Sequence, residues 1–366
     1  MRILVISHTE HFEKDGRIVG WGPTVRELDH LAQHFGEVIH VACFYPNKVA
    51  SSSAQEYRSG NVNFVSIPAY GGSSFLAKLR ILSTAPTIIK TVFRELKRAD
   101  AFQFRAPTSM GIYLIPLLTL FTRKKGWFKY AGNWMQSNPP MSYRFQRIWL
   151  KKMNHRKVTI NGKWQGQKDH IFTFENPCLE NEDRIRGAEV LINKNYSPPF
   201  TACFVGRLED AKGVKRILDA HKELYNRHIR TVHMVGDGLK REEYESIAEE
   251  LNVKFIFYGF LDRKELFSIY EQSTFFLLPS DSEGFPKVIA EAGNFGCIPV
   301  ASDISSIGQY INEENGYLWS MEISFPEFVE REMIISNLNE KGRNIYNRFS
   351  EFTFNDYCLK INELLS

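Results

Sequence analysis

The 366-residue chain lacks any apolar run of the ~20 residues that a membrane span takes. Its most apolar stretch, residues 110–121, is shorter and contains Pro116, so it reads as a buried helix or, with Arg123, Lys124 and Lys125 behind it, as an interfacial contact. Cysteine is scarce and scattered: Cys43, Cys178, Cys203, Cys297 and Cys358 show no paired spacing, which excludes a zinc motif and a disulfide framework and points to reduced, buried thiols. The N-terminal Arg-Ile-Leu-Val-Ile-Ser turns polar too soon for a signal peptide and reads as a first strand. No Gly-x-Gly-x-x-Gly follows that strand, which disfavours a nicotinamide dehydrogenase. Acidic residues are absent between Asp100 and Asp169, an interval holding thirteen Lys or Arg.

That gap belongs to a larger asymmetry. Residues 1–175 contain 25 Lys or Arg against 11 Asp or Glu, a net +14, and residues 176–366 contain 21 against 31, a net −10. A basic field of this kind attracts an anionic partner. No nucleic-acid reading motif accompanies it, so anionic lipid or a lipid-diphosphate acceptor is expected and nucleic acid is not.

At 43% hydrophobic and 13% aromatic the chain can bury sizeable cores, and its length suggests two domains. Short apolar runs alternate with amphipathic stretches, the pattern of doubly wound α/β domains with parallel sheets. Strands are expected at 3–7, 38–44, 62–67, 101–104, 127–130, 157–160 and 170–174, then at 200–205, 231–235, 254–258, 274–278 and 298–301. The expected division is 1–175, a linker region at 176–199 with a short strand at 186–192, a second domain at 200–348, and a last helix within 349–366 packing back on the first.

The most informative stretch is 283–291, Glu-Gly-Phe-Pro-Lys-Val-Ile-Ala-Glu. Pro286 suits a first helical turn, which sets Glu283 before the helix and Glu291 inside it. Eight steps at ~1.5 Å separate the two carboxylates by roughly 12 Å, about the span from a sugar ring to a ribose across a diphosphate. A diphosphate between them would face the helix N-terminus. On spacing alone, two solvated glutamates fit equally well.

This stretch resembles the signature of retaining glycosyltransferase family 4, and the resemblance continues upstream. Residues 204–213, Phe-Val-Gly-Arg-Leu-Glu-Asp-Ala-Lys-Gly, then His-Met-Val-Gly-Asp-Gly at 233–238, Phe-Tyr-Gly-Phe at 257–260 and Asn-Gly-Tyr-Leu at 315–318, resemble family landmarks in the same order. The resemblance covers most of residues 200–320 and implies GT-B, two Rossmann-like domains facing a cleft, with the donor held by the second.

It also implies the site. Arg207 and Lys212 match the pair that stabilises charge on the departing nucleoside diphosphate. Glu291 matches the glutamate that accepts hydrogen bonds from the ribose, and Glu283 the one near the donor sugar. Gly206, Gly236, Gly238 and the backbone of Gly284 and Phe285 complete the donor set. With the two cations present and no Asp-x-Asp at a strand end, neither a metal nor another cofactor is expected. The first half departs from the pattern: Gly-Trp-Gly-Pro-Thr at 20–24 stands where a glycine pair follows the first strand, and the acceptor-side residue has three candidates at strand ends, His8, Arg105 and Asn133.

The reading is a cytoplasmic glycosyltransferase, peripheral at the inner face of a membrane. It would move a hexose-like sugar from a nucleoside diphosphate to a glycan or lipid-linked acceptor, with retention, in cell-envelope polysaccharide assembly. A noncatalytic nucleotide-sugar-binding subunit and an epimerase of the same fold are the alternatives.

Overall fold

The computed structural model describes residues 1–70 and 75–366, with side chains omitted from the description at 75–80. It divides into two compact units, Met1–Asn176 with Phe354–Ser366, and Pro177–Thr353.

The first unit contains β1 (Arg2–Ile6), β2 (His11–Lys14), β3 (Arg17–Trp21), β4 (Glu37–Phe44), β5 (Ala54–Glu56), β6 (Val62–Pro68), β7 (Ala101–Ala106), β8 (Lys125–Tyr130), β9 (Lys157–Ile160) and β10 (Ile171–Thr173). Strands β10-β9-β8-β7-β1-β4 run in parallel order and β6 closes the row on β4. Period-two alternation sends β1 into two cores. Leu4 and Ile6 pack with Phe102, Phe104 and Phe128 under the helices Phe75–Arg98 and Gly111–Leu120. Ile3 and Val5 pack with Leu28, Leu31 and Ile361 under the helices Gly22–Phe35 and Phe354–Leu365.

Beyond the end of β4, the antiparallel strands β2, β3 and β5 extend the sheet. Gly20 and Trp21 lie in β3 and Gly22 to Thr24 open a helix, so the segment that stands in for the glycine pair is regular structure rather than a free loop. The stretch 110–121 forms the helix Gly111–Leu120, buried at Leu114, Ile115 and Leu118 yet exposed at Ile112 and Leu120. No helix among the described residues is long and apolar enough to cross a membrane.

The second unit contains β11 (Phe200–Val205), β12 (Ile229–Val235), β13 (Lys254–Gly259), β14 (Phe275–Leu278), β15 (Ile298–Ser302) and β16 (Tyr317–Trp319). Their order, β13-β12-β11-β14-β15-β16, is entirely parallel and doubly wound. The segment expected as a linker holds the helix Asn181–Asn193, which corrects the strand at 186–192. A capping box between Glu180 and Asp183 starts this helix. At its Gly187 an added Cβ would lie 2.2 Å from the Asn294 carbonyl, so the glycine admits close packing against the helix Lys287–Asn294.

Candidate functional site

In the second unit β11 and β14 are adjacent while their connections diverge, which makes the crevice at their carboxyl ends the expected ligand position of such a sheet. The loop after β11 carries Arg207 and Lys212; the loop after β14 carries Ser280 and Glu283. The structure joins the two loops chemically: Lys212 Nζ donates to Glu283 Oε1 at 2.6 Å, and Ser280 Oγ donates to the same oxygen at 2.9 Å. Both members of the ion pair are largely shielded, with side chains 22% and 12% exposed. The loops also touch through backbone, since a Cβ on Gly213, at φ +85°, would lie 2.1 Å from the Pro279 carbonyl. Arg207 is 75% exposed and pairs with Glu209 at 3.1 Å, a surface contact worth under about 1 kcal/mol that leaves its head easily redirected.

The glycines expected in the donor set have a packing reason of their own. Gly206 N–H donates to Val235 O at 3.0 Å, Leu208 N–H to Asp237 O at 3.0 Å and Gly236 N–H to Gly259 O at 2.8 Å. A Cβ on Gly236, at φ +131°, would meet Gly206 O at 1.9 Å, and one on Gly238 would meet Leu208 O at 2.3 Å. These residues let the loops after β11 and β12 stack directly, so protein backbone is what approaches them.

The helix Lys287–Asn294 starts after Pro286, which sits at the N-cap instead of inside the first turn. Glu291 is buried, and Arg263 lies 3.5 Å from its Oε1. Arg263 also donates to Asp183 and to the Cys178 carbonyl, and its guanidinium lies over the Phe267 ring. Burial pulls this guanidinium's pKa down, and Glu291 and Asp183 more than offset it. Gly284 O accepts from Ser306 Oγ at 3.3 Å and the Phe285 ring packs on Tyr310 and Phe352, so the backbone between the two glutamates is held on both sides. Ser280, Arg263 and Asp183 escaped the sequence reading. Ser280 had a signal, its place in the Glu283 loop, but Arg263 and Asp183 reach Glu291 from distant helices at no recognisable spacing.

A wider hollow of about 800 Å³ on the same unit is lined by Glu313, Glu314, Glu332 and Glu340 against Lys341. Its carboxylates suit no phosphate, and the motif residues lie elsewhere.

In the first unit a cavity of about 380 Å³ opens at the carboxyl ends of β1 and β7, and His8 and Arg105 both line it. Asn133 is not among its lining residues; its Oδ1 accepts the Met135 N–H at 3.0 Å, a turn function. Arg105 is anchored by the fully buried Glu27 at 2.9 Å, and Lys129 reaches the same carboxylate at 2.7 Å. Both cations thus share the one Glu27 carboxylate, and Glu10 also lines the cavity. Burial lowers the His8 pKa, with Glu10 opposing, and favours the neutral ring.

Ser7, on the cavity wall, begins a buried chain of hydrogen bonds whose direction can be derived. His11 Nδ1 lies 3.0 Å from the Thr9 carbonyl, which only accepts, so Nδ1 carries the proton. His11 Nε2 then accepts from Tyr57 OH at 2.7 Å, Tyr57 accepts from His40 Nδ1 at 2.6 Å, and His40 Nε2 accepts from Ser7 Oγ at 2.7 Å. Both rings are neutral in this arrangement, in line with burial, which brings His11 down to about 4 and also lowers His40 well below the usual imidazole range.

Residues 189–348 match the family model described as glycosyl transferases group 1. The chain is 27% identical over 160 residues to an uncharacterized glycosyltransferase of Methanocaldococcus jannaschii, covering 40% of each. It is 31% identical over 119 residues to the lipopolysaccharide 1,6-galactosyltransferase of Salmonella typhimurium, covering 30% of this chain and 31% of that one. These alignments span well under half the length of the curated relatives. In structure the chain is similar to Anabaena HepE in complex with UDP, with TM-score 0.68 and 14% identity, covering 100% of this chain and 99% of the other. The fold is GT-B.

Proposed function

We propose that the protein is a metal-independent glycosyltransferase that moves a sugar, with retention, from a nucleoside diphosphate sugar to a glycan or lipid-linked acceptor. The setting proposed is cell-envelope polysaccharide assembly, on the cytoplasmic side. The observation that carries this reading is the Lys212–Glu283–Ser280 contact at the switch point of the second unit. The UDP held by Anabaena HepE and the activity named for the Salmonella relative agree with it.

On this proposal the donor diphosphate lies against Lys212 and Arg207, and Glu291 accepts from the ribose hydroxyls. Lys212 exchanges Glu283 for phosphate, leaving the Glu283 carboxylate to face the sugar. The bond from the anomeric carbon to the β-phosphate oxygen breaks, and the two cations stabilise the charge left on the diphosphate. The acceptor oxygen bonds to the same face of that carbon and its proton passes to the departing phosphate oxygen. The chain's own part is positioning and charge stabilisation. The cavity with His8 and Arg105 is the proposed acceptor side.

A thermal-shift panel of nucleoside diphosphates and their sugar conjugates tests the donor site. A ligand at a hundred times its Kd adds about 2.7 kcal/mol of apparent stability. No response to any of them would sink the reading, and binding without transfer or hydrolysis would make the protein a noncatalytic binder. Activity abolished by a chelator and restored by a divalent ion would overturn metal independence.

A further inference from the structure

Two packed helices of the first unit, Gly111–Leu120 and Met141–Lys152, expose a set of large apolar side chains that no core uses. Met141 is 88% exposed, Phe121 70% and Leu120 58%, with Ile148, Ile112 and Phe145 at 44, 43 and 38%. On the second helix Met141, Phe145 and Ile148 recur at helical spacing along one face, while Gln146 and Leu150 turn inward. The helices lie close together. A Cβ on Gly111 would stand 2.1 Å from Gln146 Oε1, and His155 Nε2 lies 3.3 Å from the Thr119 carbonyl.

The cations around this surface fall into two groups. Lys124 donates to the carbonyls of Lys97 and Ala99, Lys125 to those of Leu365 and Ser366, Arg147 to Trp134 and Gln136, and Arg156 to Thr122 and Lys124. These are structural ties. Arg123, Arg144, Lys151 and Lys152 are exposed. Residues 101–168, which supply both helices, contain no carboxylate side chain.

We propose that this face docks on an anionic lipid bilayer, with Met141, Phe145, Ile148, Leu120 and Phe121 entering the interface and Arg123, Arg144 and Lys152 holding headgroup phosphates. Charge complementarity selects this occupant. A second copy of the chain docking through the same face would set one basic rim against another. A bilayer offers apolar depth beneath an anionic layer, which matches an apolar stripe with a basic border. Lys124 and Lys125, the basic cluster that the sequence singles out, contribute to the fold and not to docking. The inference is independent of the donor-site reading.

Co-sedimentation of the full chain with phosphatidylcholine vesicles, with and without phosphatidylglycerol, tests it. Partition onto the anionic vesicles is expected, falling with salt as the ~8 Å Debye length at physiological ionic strength shortens. The triple variant Arg123→Ser, Arg144→Ser, Lys152→Ser is expected to lose on the order of a hundredfold in partition. The double variant Phe121→Ser, Met141→Ser is expected to lose at least about tenfold at unchanged charge. Circular dichroism and the thermal shift with UDP report whether each variant keeps its fold and donor binding. No partition of the wild type, equal partition onto neutral vesicles, or insensitivity to both variant sets would overturn the proposal. Concentration-dependent dimerisation relieved by Phe121→Ser, Met141→Ser would overturn it in favour of a second copy.

Discussion

The two units solve the same electrostatic problem in opposite ways. The first holds 26 Lys or Arg against 13 Asp or Glu, the second 20 against 29. In the basic unit, one fully buried carboxylate, Glu27, anchors two cations beneath the cavity, and further cations are spent on backbone carbonyls at strand and helix ends. In the acidic unit, the motif carboxylates each meet a cation that retains partial exposure, Lys212 with Glu283 and Arg263 with Glu291. Desolvation explains the consequence. A buried carboxylate with two partners is fixed, because releasing either cation strands a charge. A shielded pair at a loop junction can exchange one partner for a phosphate. Charge therefore builds the wall of the first unit's cavity and, on the proposed function, remains available for exchange in the second unit.

The sharpest way to break this comparison is Glu27→Gln. Losing the carboxylate leaves Arg105 and Lys129 buried without their anion, and a stability loss of about 3–5 kcal/mol is expected by urea titration. A loss under about 1 kcal/mol would mean that water already solvates both cations.

Lys212→Ala and Arg207→Ala should behave in the reverse sense. Turnover is expected to fall by about 10²–10³-fold, some 3–4 kcal/mol of transition-state stabilisation, with melting temperature nearly unchanged. Near-normal turnover in both variants would remove them from the donor site.

Acid titration probes the buried hydrogen-bond chain of the first unit. The pKa of His11 is lowered from 6.5 to about 4 by burial, so between those values the unfolded chain binds a proton that the folded chain excludes. Stability is therefore fully present above pH 6.5 and is lost as pH falls toward 4, by up to about 1.4 kcal/mol per pH unit from this group. His40, lowered for the same reason, steepens the loss. Denaturant midpoints between pH 7.5 and 4.5 should show this slope, and His11→Gln should flatten it. A His11→Gln curve parallel to wild type would refute the neutral hydrogen-bond chain.

The smallest effect expected separates the two glutamates. Glu291→Gln should weaken binding of a nucleoside diphosphate by about 1–2 kcal/mol, a charged hydrogen-bond contribution. Glu283→Gln should spare that binding and reduce transfer from the sugar conjugate. Calorimetry with both ligands decides it; equal losses for the diphosphate would contradict the division of roles.

Much of this architecture is written locally. Continuous apolar runs flanked by amphipathic stretches dictate parallel strands under helices on both faces, so β1, β4 and β6 to β15 lie near where periodicity puts them. The segments 204–213 and 283–291 stand out in the sequence by their resemblance to a family signature, and the structure sets them at neighbouring strand ends of the second unit. Tertiary structure decided the rest, through contacts distant in sequence. Strands β2, β3 and β5 are only three to five residues long, and exist because the extension of β4 offers them partners. The helix Asn181–Asn193 wins over a strand because its capping box and the packing of Gly187 on Asn294 outweigh a brief apolar run. Lys212 meets Glu283 across 71 residues, Arg263 meets Glu291 from another helix, and Ser7 is bound to His40 across 33. No spacing rule encodes such pairings. They follow from which strand ends a doubly wound sheet brings together, and there a burial penalty on each unpaired polar group selects its partner.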